Sequence, residues 1–290
     1  MSRDSSRREF LGALGAAGMG IGAVKMGPER VEKRSPRETS AVLAVGFQLG
    51  IASYSLRNYS RTYAIQAIQA IGTPNVNVKS FHLPYDASPA ELRAGRAEFE
   101  AAGLRIVGGG TVTMHVDTDE DVRSYFEYAR LSGMPLMVIA PTRDTLPRIE
   151  RFVQEYDIAV AIHNHGPTDE HFPGPQDALP VIADMDPRVG VCLDVGHTAR
   201  TGIDVAEAAE MSGDRLLDLH IKDLADLTSA ESQCAVGDGA IPVGRLFAAL
   251  ERIDYRGFVN LEYEIKPGNP LPGMQRSFAF MRGVVEGIDA

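Results

Sequence analysis

With 290 residues, 44% hydrophobic and 23% charged, the chain is long enough for one large domain or two small ones around a sizeable core. Its two cysteines, Cys192 and Cys234, exclude a disulfide framework and a Cys-x-x-Cys zinc site. Residues 1–44 hold eight basic and five acidic side chains, and the 21 basic and 34 acidic that remain give a body near −13, which repels phosphate backbones and argues against nucleic acid as a partner.

The chain opens with Arg7-Arg8 before Phe10-Leu11, then a weakly apolar Gly/Ala-rich run to Val24, then Lys25. A basic start before a short apolar run predicts an export signal, and about 15 residues are too few for a typical membrane-spanning helix. The Arg-Arg pair resembles the twin-arginine type, which carries folded proteins across the bacterial inner membrane. The expected location is therefore the periplasm, with N-terminal anchoring as the variant if the leader is retained. Residues 26–40 are polar, contain proline and read as a tether, and Val42-Leu43-Ala44 is a candidate peptidase site. The expected organisation is a signal and linker over 1–44 and one domain over 45–290, with no spanning segment left after processing.

From residue 46 onward, short apolar runs alternate with stretches of helical period. Strands are predicted at 47–52, 75–79, 105–109, 135–140, 158–163, 189–194, 216–221 and 258–263. Helices are predicted near 60–71, 89–102, 119–132, 143–156, 175–184, 204–211, 243–253 and 271–286. Ser88-Pro89 with Glu91, and Asp119-Glu120-Asp121, put a capping or acidic group on a first turn. Gly103, Gly133 and Gly257 fall where helices must stop. Strand then helix, eight times over with short connections, predicts a closed (β/α)8 barrel. An open doubly wound sheet is the rival, but no G-x-G-x-x-G follows an early strand, and Gly108-Gly109-Gly110 lacks that spacing.

Barrel active sites form at the C-terminal ends of the strands, and all seven histidines fall there. His82 and His115 lie past strands two and three, His163 and His165 end strand five, and His171 is in its loop. His197 follows strand six and His220 ends strand seven, so none is expected in a helix. "LLDLHIKD" alternates: Leu217, Leu219 and Ile221 face one way and Asp218, His220 and Lys222 the other. Buried carboxylates such as Asp194 and Glu262 need a cation, a donor network or water. His163, Asp194, His220 and Glu262, one each from strands five to eight, form a mixed nitrogen and oxygen ligand set suited to one Mn²⁺, Zn²⁺, Co²⁺ or Fe²⁺. Taken singly, each could also be a helix cap or a hydrogen-bonded core residue. Glu264 reads as a rim residue or hydrogen-bond acceptor, and Asp223 as a loop or cap residue.

"AIHNHG", "CLDVGHTARTG", "DLHIKD", "VGDGAIPVGRL" and "YRGFVNLEYE" resemble the sugar phosphate isomerase/epimerase superfamily, the xylose-isomerase-like TIM barrels, from about Phe47 to Glu286. The resemblance implies one divalent metal held at the ends of strands five to eight, typically by Glu, Asp, His and Glu, and proton transfer next to a sugar carbonyl. It matches Asp194, His220 and Glu262 to the last three ligands and His197 to a substrate-contacting or outer histidine. It also implies that Lys79 and His82, in "VKSFHLP", face the substrate. One position departs from the pattern. Where many members have Glu-Asn-His-Gly, this chain has His163-Asn164-His165-Gly166. A metal-bound imidazole is a poor base, whereas a free one with a pKa near 6.5 is a workable base.

The expected activity is isomerisation or epimerisation of a keto-sugar through an enediolate. Glu262 would move the proton, His163 or His165 would stand opposite, and Lys79, Lys222 and His197 would hold hydroxyls. The alternatives are an exported lyase or hydrolase of 3-keto-glycosides using the same enolate, and a non-catalytic sugar-binding or accessory barrel. The endonuclease chemistry of related DNA-repair barrels uses a basic groove, which a body near −13 opposes. Self-association is compatible with all of these.

Overall fold

The computed structural model describes residues 45–288, and the export signal and tether expected over 1–44 lie outside them. Eight parallel strands close into a barrel in the order β1-β10-β7-β6-β5-β4-β3-β2. They are β1 (Gln48–Ala52), β2 (Asn75–Val78), β3 (Arg105–Met114), β4 (Leu136–Pro141), β5 (Ala159–His163), β6 (Val189–Asp194), β7 (Leu216–Ile221) and β10 (Phe258–Leu261). The last strand closes on the first in register from Gln48↔Phe258 to Ile51↔Leu261. A two-stranded hairpin of β8 (Asp223–Leu224) and β9 (Gln233–Cys234) projects beyond β7.

Helices α1 (Arg61–Ile71), α2 (Pro89–Ala101), α3 (Asp119–Ser132), α4 (Leu146–Tyr156) and α5 (Pro175–Ile182) follow the first five strands. After β6 come a short α6 (Val195–Arg200) and α7 (Val205–Ser212), then α8 (Val243–Arg252) and α9 (Leu271–Ile288). None of the helices in the described residues is long and apolar enough to cross a membrane. The α2 start is a full capping box: Ser88 Oγ accepts from the Glu91 N–H, and Glu91 Oε2 accepts from the Ser88 N–H at 2.8 Å. Gly103 (φ 75°) and Gly133 (φ 70°) take the left-handed backbone that ends α2 and α3. Gly257 does not act this way. Asp254, at φ 54°, makes the left-handed turn after α8.

The main core lies between the barrel wall and the helices, and Ile162, Leu193, Leu219, Ile221 and Leu261 point into it. Alternate residues then face the barrel interior, where Val138, Ala161 and Cys192 form a small second cluster. Leu217 joins that inner cluster rather than the outer face of Leu219, because the register shifts between Val191 and Cys192 opposite it. That bulge resets the alternation so that Asp218 and His220 still point inward. The glycines at 108–110 belong to β3, which runs five residues past its expected end.

Candidate active site and metal centre

Period-two geometry delivers one side chain from each of β5, β6 and β7, and one from the residue after β10, to a single point inside the barrel mouth. His163, Asp194, His220 and Glu262 each offer an atom there, all within 4.8 Å of one another. His163 Nε2 is 3.1 Å from His220 Nδ1 and 3.5 Å from Asp194 Oδ2. His220 Nδ1 is 3.4 Å from Glu262 Oε2. Four donors arranged tetrahedrally around an ion at about 2.0–2.1 Å are separated by roughly 3.3–3.4 Å, so this spacing fits a metal. Asp194 Oδ2 is fully buried, with the Lys222 ammonium at 2.9 Å as its charge partner. The donor chemistry and the spacing of the four groups fit a divalent cation.

The protonation states agree with that role. Burial, with help from His165 and His220, holds the His163 imidazole well below its ordinary pKa, which leaves it neutral with a lone pair to give. Burial pushes Asp194 upward, but Lys222, His197 and His163 outweigh it and keep the carboxyl well below the usual range. Glu262 follows the same logic, with Lys222, His220 and Lys79 overcoming burial. Cys192 lies close to His163 and His220, but burial raises its thiol well above the ordinary value. The group that includes Cys192 has three donors, against four in the set with Asp194 and Glu262.

Lys222 is the local counter-ion. Its Nζ lies 2.9 Å from Asp194 Oδ2, 3.0 Å from Glu262 Oε2 and 3.1 Å from Glu264 Oε2. Its ammonium is thereby fully engaged, and Lys222 does not line the cavity over the site. Lys79 does line it, with Nζ 3.2 Å from Glu262 Oε1, the carboxylate oxygen not turned to His220. Glu264 lines it as well and is half-buried. Burial raises its pKa; Lys222 pulls the other way, and the Glu262 charge adds to the rise.

Above the four donors opens a cavity of about 420 Å³, lined by His163, His165 and His197 among others. The His165 ring packs against His163 at a tilt of 50° with centroids 4.5 Å apart, and its Nδ1 lies 3.2 Å from Asp169 Oδ2. Nε2 remains for the cavity. His197 sits in α6, not in a loop, with its backbone N–H donating to Asp194 Oδ1 at 2.8 Å. Arg200 donates to its Nδ1, so the ring carries hydrogen on Nε2, and burial lowers its pKa to about 4. Asn164, on the opposite face of the strand end, accepts the Asp194 N–H at 2.9 Å and donates to Thr198 at 3.0 Å. It locks strand five to strand six and leaves the flanking histidines facing inward.

His82 stays out of the cavity. Its Nδ1 is 2.9 Å from Ser53 Oγ, which also accepts the Lys79 N–H at 2.8 Å, so it braces the turn that presents Lys79. Phe81, one residue earlier, takes the cavity-facing position instead. His115 and His171 line a second cavity of about 340 Å³ that shares His163 and His165 with the first. Reading the sequence did not single out Tyr54, Phe81, Tyr85 and Tyr125, which line the first cavity. They come from three segments, the turn after β1, the loop before α2 and α3, with no common spacing, so only folding brings them together.

Known structures share this architecture. A protein from Parabacteroides distasonis is 24% identical, with a TM-score of 0.65 over 82% of this chain and 99% of that one. The 3-keto-D-glucoside 4-epimerase from E. coli is 16% identical, with a TM-score of 0.67 over 82% of this chain and 99% of that one. The IOLI protein with a bound zinc atom is 17% identical, with a TM-score of 0.71 over 83% of this chain and 99% of that one. At these identities the likeness speaks to the fold alone. No curated protein matches the chain. Residues 59–284 match the model of the xylose isomerase-like TIM barrels, and the chain belongs to that family.

Proposed function

We propose that this protein is a divalent-metal-dependent isomerase or epimerase of keto-sugars, working through an enediolate. One observation carries the reading: two imidazole nitrogens and two carboxylate oxygens converge beneath a cavity walled by Lys79, Glu264 and His197. His163, Asp194, His220 and Glu262 would hold the ion, with Mn²⁺, Zn²⁺, Co²⁺ or Fe²⁺ suited to such donors. When bound, the ion supplies Lewis-acid polarisation of the carbonyl and stabilises charge on the enediolate.

The chain's own residues do the rest. His163 serves as ligand, not base, since its Nε2 is one of the converging donors. Glu262 Oε1, beside Lys79, removes the proton from the carbon next to the carbonyl. The Lys79 ammonium then steadies the developing negative charge. His165 approaches from β5, three strands away from β10 around the barrel, and returns a proton through Nε2 with Asp169 orienting the ring. His197 Nε2–H donates to a substrate hydroxyl. Periplasmic export, read from the twin-arginine start, makes an unphosphorylated sugar the fitting substrate.

A second reading, elimination from a 3-keto-glycoside, is favoured by the same placement of His165. Glu262 takes the proton at C2, the electron pair forms a C1–C2 double bond, the C1–O bond breaks, and His165 protonates the departing oxygen. Turnover of 3-keto-glucosides by the metal-loaded protein and by a Glu262→Gln variant tests both readings. Loss of at least about a hundredfold in turnover is expected for general-base removal. An unchanged rate contradicts the assignment. An epimer as product supports isomerisation, and a released alcohol supports elimination.

A further inference from the structure

We infer that the substrate is a glycoside whose aglycone is a flat aromatic group, held by an aromatic wall at the outer end of the first cavity. This rests on the keto-sugar reading above and specifies what the sugar carries. The cavity has two chemically distinct ends. Lys79, Glu262, Glu264 and His197 bring charge and hydrogen-bonding capacity to the metal end, as a polyol requires. Tyr54, Phe81, Tyr85 and Tyr125 dominate the remaining wall, beside the hydroxyls of Ser80, Thr111 and Thr113.

Two observations mark the aromatic end as a binding surface. Phe81 is 54% exposed and Tyr85 42% exposed, and both turn into this one cavity when a folding chain ordinarily buries such rings. The rings are also preset in edge-to-face pairs. Tyr54 and Phe81 have centroids 5.7 Å apart at 64°, and Tyr85 and Tyr125 have centroids 5.7 Å apart at 80°. Pairs of this kind present ring faces and edges to a third aromatic group at little ordering cost. At about 420 Å³ the cavity lies in the range that encloses drug-sized ligands, larger than a lone hexose requires. A second sugar ring is the competing occupant. Away from the metal end it would meet only hydroxyl groups, with no charged or amide side chain in the lining to hold it in the bidentate manner of the metal end.

The test is calorimetric binding of phenyl and methyl 3-keto-β-D-glucopyranosides to the Co²⁺-loaded protein. The parent glucosides and a 3-keto-cellobioside serve as comparators. The phenyl compound is expected to bind at least about tenfold tighter than the methyl one, as two added ring contacts provide. In a Phe81→Ala/Tyr85→Ala double variant that gap should narrow to under about twofold. Both rings are exposed, so the fold is expected to survive, with metal content as the check. Equal affinities for phenyl and methyl compounds in the wild type overturn the inference, and so does tighter binding of the cellobioside. A phenyl preference that is the same with the parent glucosides upholds the aromatic wall and overturns the keto-sugar reading. Binding of none of these compounds overturns both.

Discussion

His163 Nε2 and His220 Nδ1 face each other across 3.1 Å, with carboxylate oxygens of Asp194 and Glu262 at 3.5 and 3.4 Å from one or other nitrogen. A proton can bridge two imidazoles and Lys222 reaches both carboxylates, but one divalent cation would take a donor atom from all four side chains at once. The ligand set is therefore predicted to be cooperative. His163→Ala should reduce bound metal from near one equivalent to near zero after dialysis, a larger effect than the roughly 10–100-fold of outer-shell changes. His163→Glu restores an oxygen donor and should retain metal. Elemental analysis of the three proteins distinguishes this from a packing role, in which both variants would behave alike.

Lys222 balances Asp194, Glu262 and Glu264 within 3.1 Å. Replacing it with methionine should destabilise the metal-free protein by about 3–5 kcal/mol, the penalty for leaving buried charge unpaired. Excess divalent metal, which neutralises the same carboxylates, should recover most of that loss. Denaturant unfolding with and without metal reads the difference. An equal loss in both states would show that Lys222 acts through packing alone.

Among the described residues, Asp223 is the carboxylate outside the candidate site that accepts the most backbone N–H groups. Its carboxylate takes the backbone N–H groups of Leu224, Gly237, Gly239 and Ile241 at 2.9–3.0 Å. "VGDGAIPVGRL" is thus pinned to the end of strand seven by one buried side chain. Asp223→Ala strands four donors and should cost at least about 3 kcal/mol. Hydrogen exchange should accelerate first at Gly237 to Ile241, and protection there equal to the wild type would refute the assignment.

Far from the site, Asp186 accepts from the Arg188 backbone N–H at 2.9 Å and from its guanidinium at 2.9 and 2.8 Å. These bonds hold its pKa below the ordinary value. A depressed carboxylate stabilises the fold above its unfolded pKa near 4, and that contribution fades as pH falls toward the folded value. Asp186→Asn should therefore cost about 1 kcal/mol at neutral pH, scaled down for a pair at the surface. The gap should shrink below pH about 4. Chemical denaturation across pH 3–7 checks the sign, which a widening gap at low pH would reverse.

The barrel was legible because eight apolar runs alternate with helical periods, and all eight barrel strand starts fall within one residue of prediction. The four converging donors were legible for the same reason, since period two fixes which strand-end side chains turn inward. Short elements left no such trace. The two-residue strands β8 and β9 have no period to detect, and α6 is a single turn and a half capped by Asp194 itself, so His197 was expected in a loop. Leu217 shows the limit of alternation, because one bulge moves a residue to the other face. Lys222 and Glu264 needed the third dimension. Only the folded barrel shows that the lysine is consumed by carboxylates and that Glu264 reaches the cavity.

The central claim is metal-assisted removal of a proton next to a sugar carbonyl. Proton NMR of a 3-keto-glucoside incubated with metal-loaded protein in D₂O tests it most directly. The account predicts that the signal at the carbon beside the ketone disappears faster than in buffer and that a chelator abolishes the acceleration. Exchange no faster than in metal-containing buffer, from a protein that holds its ion, would contradict it.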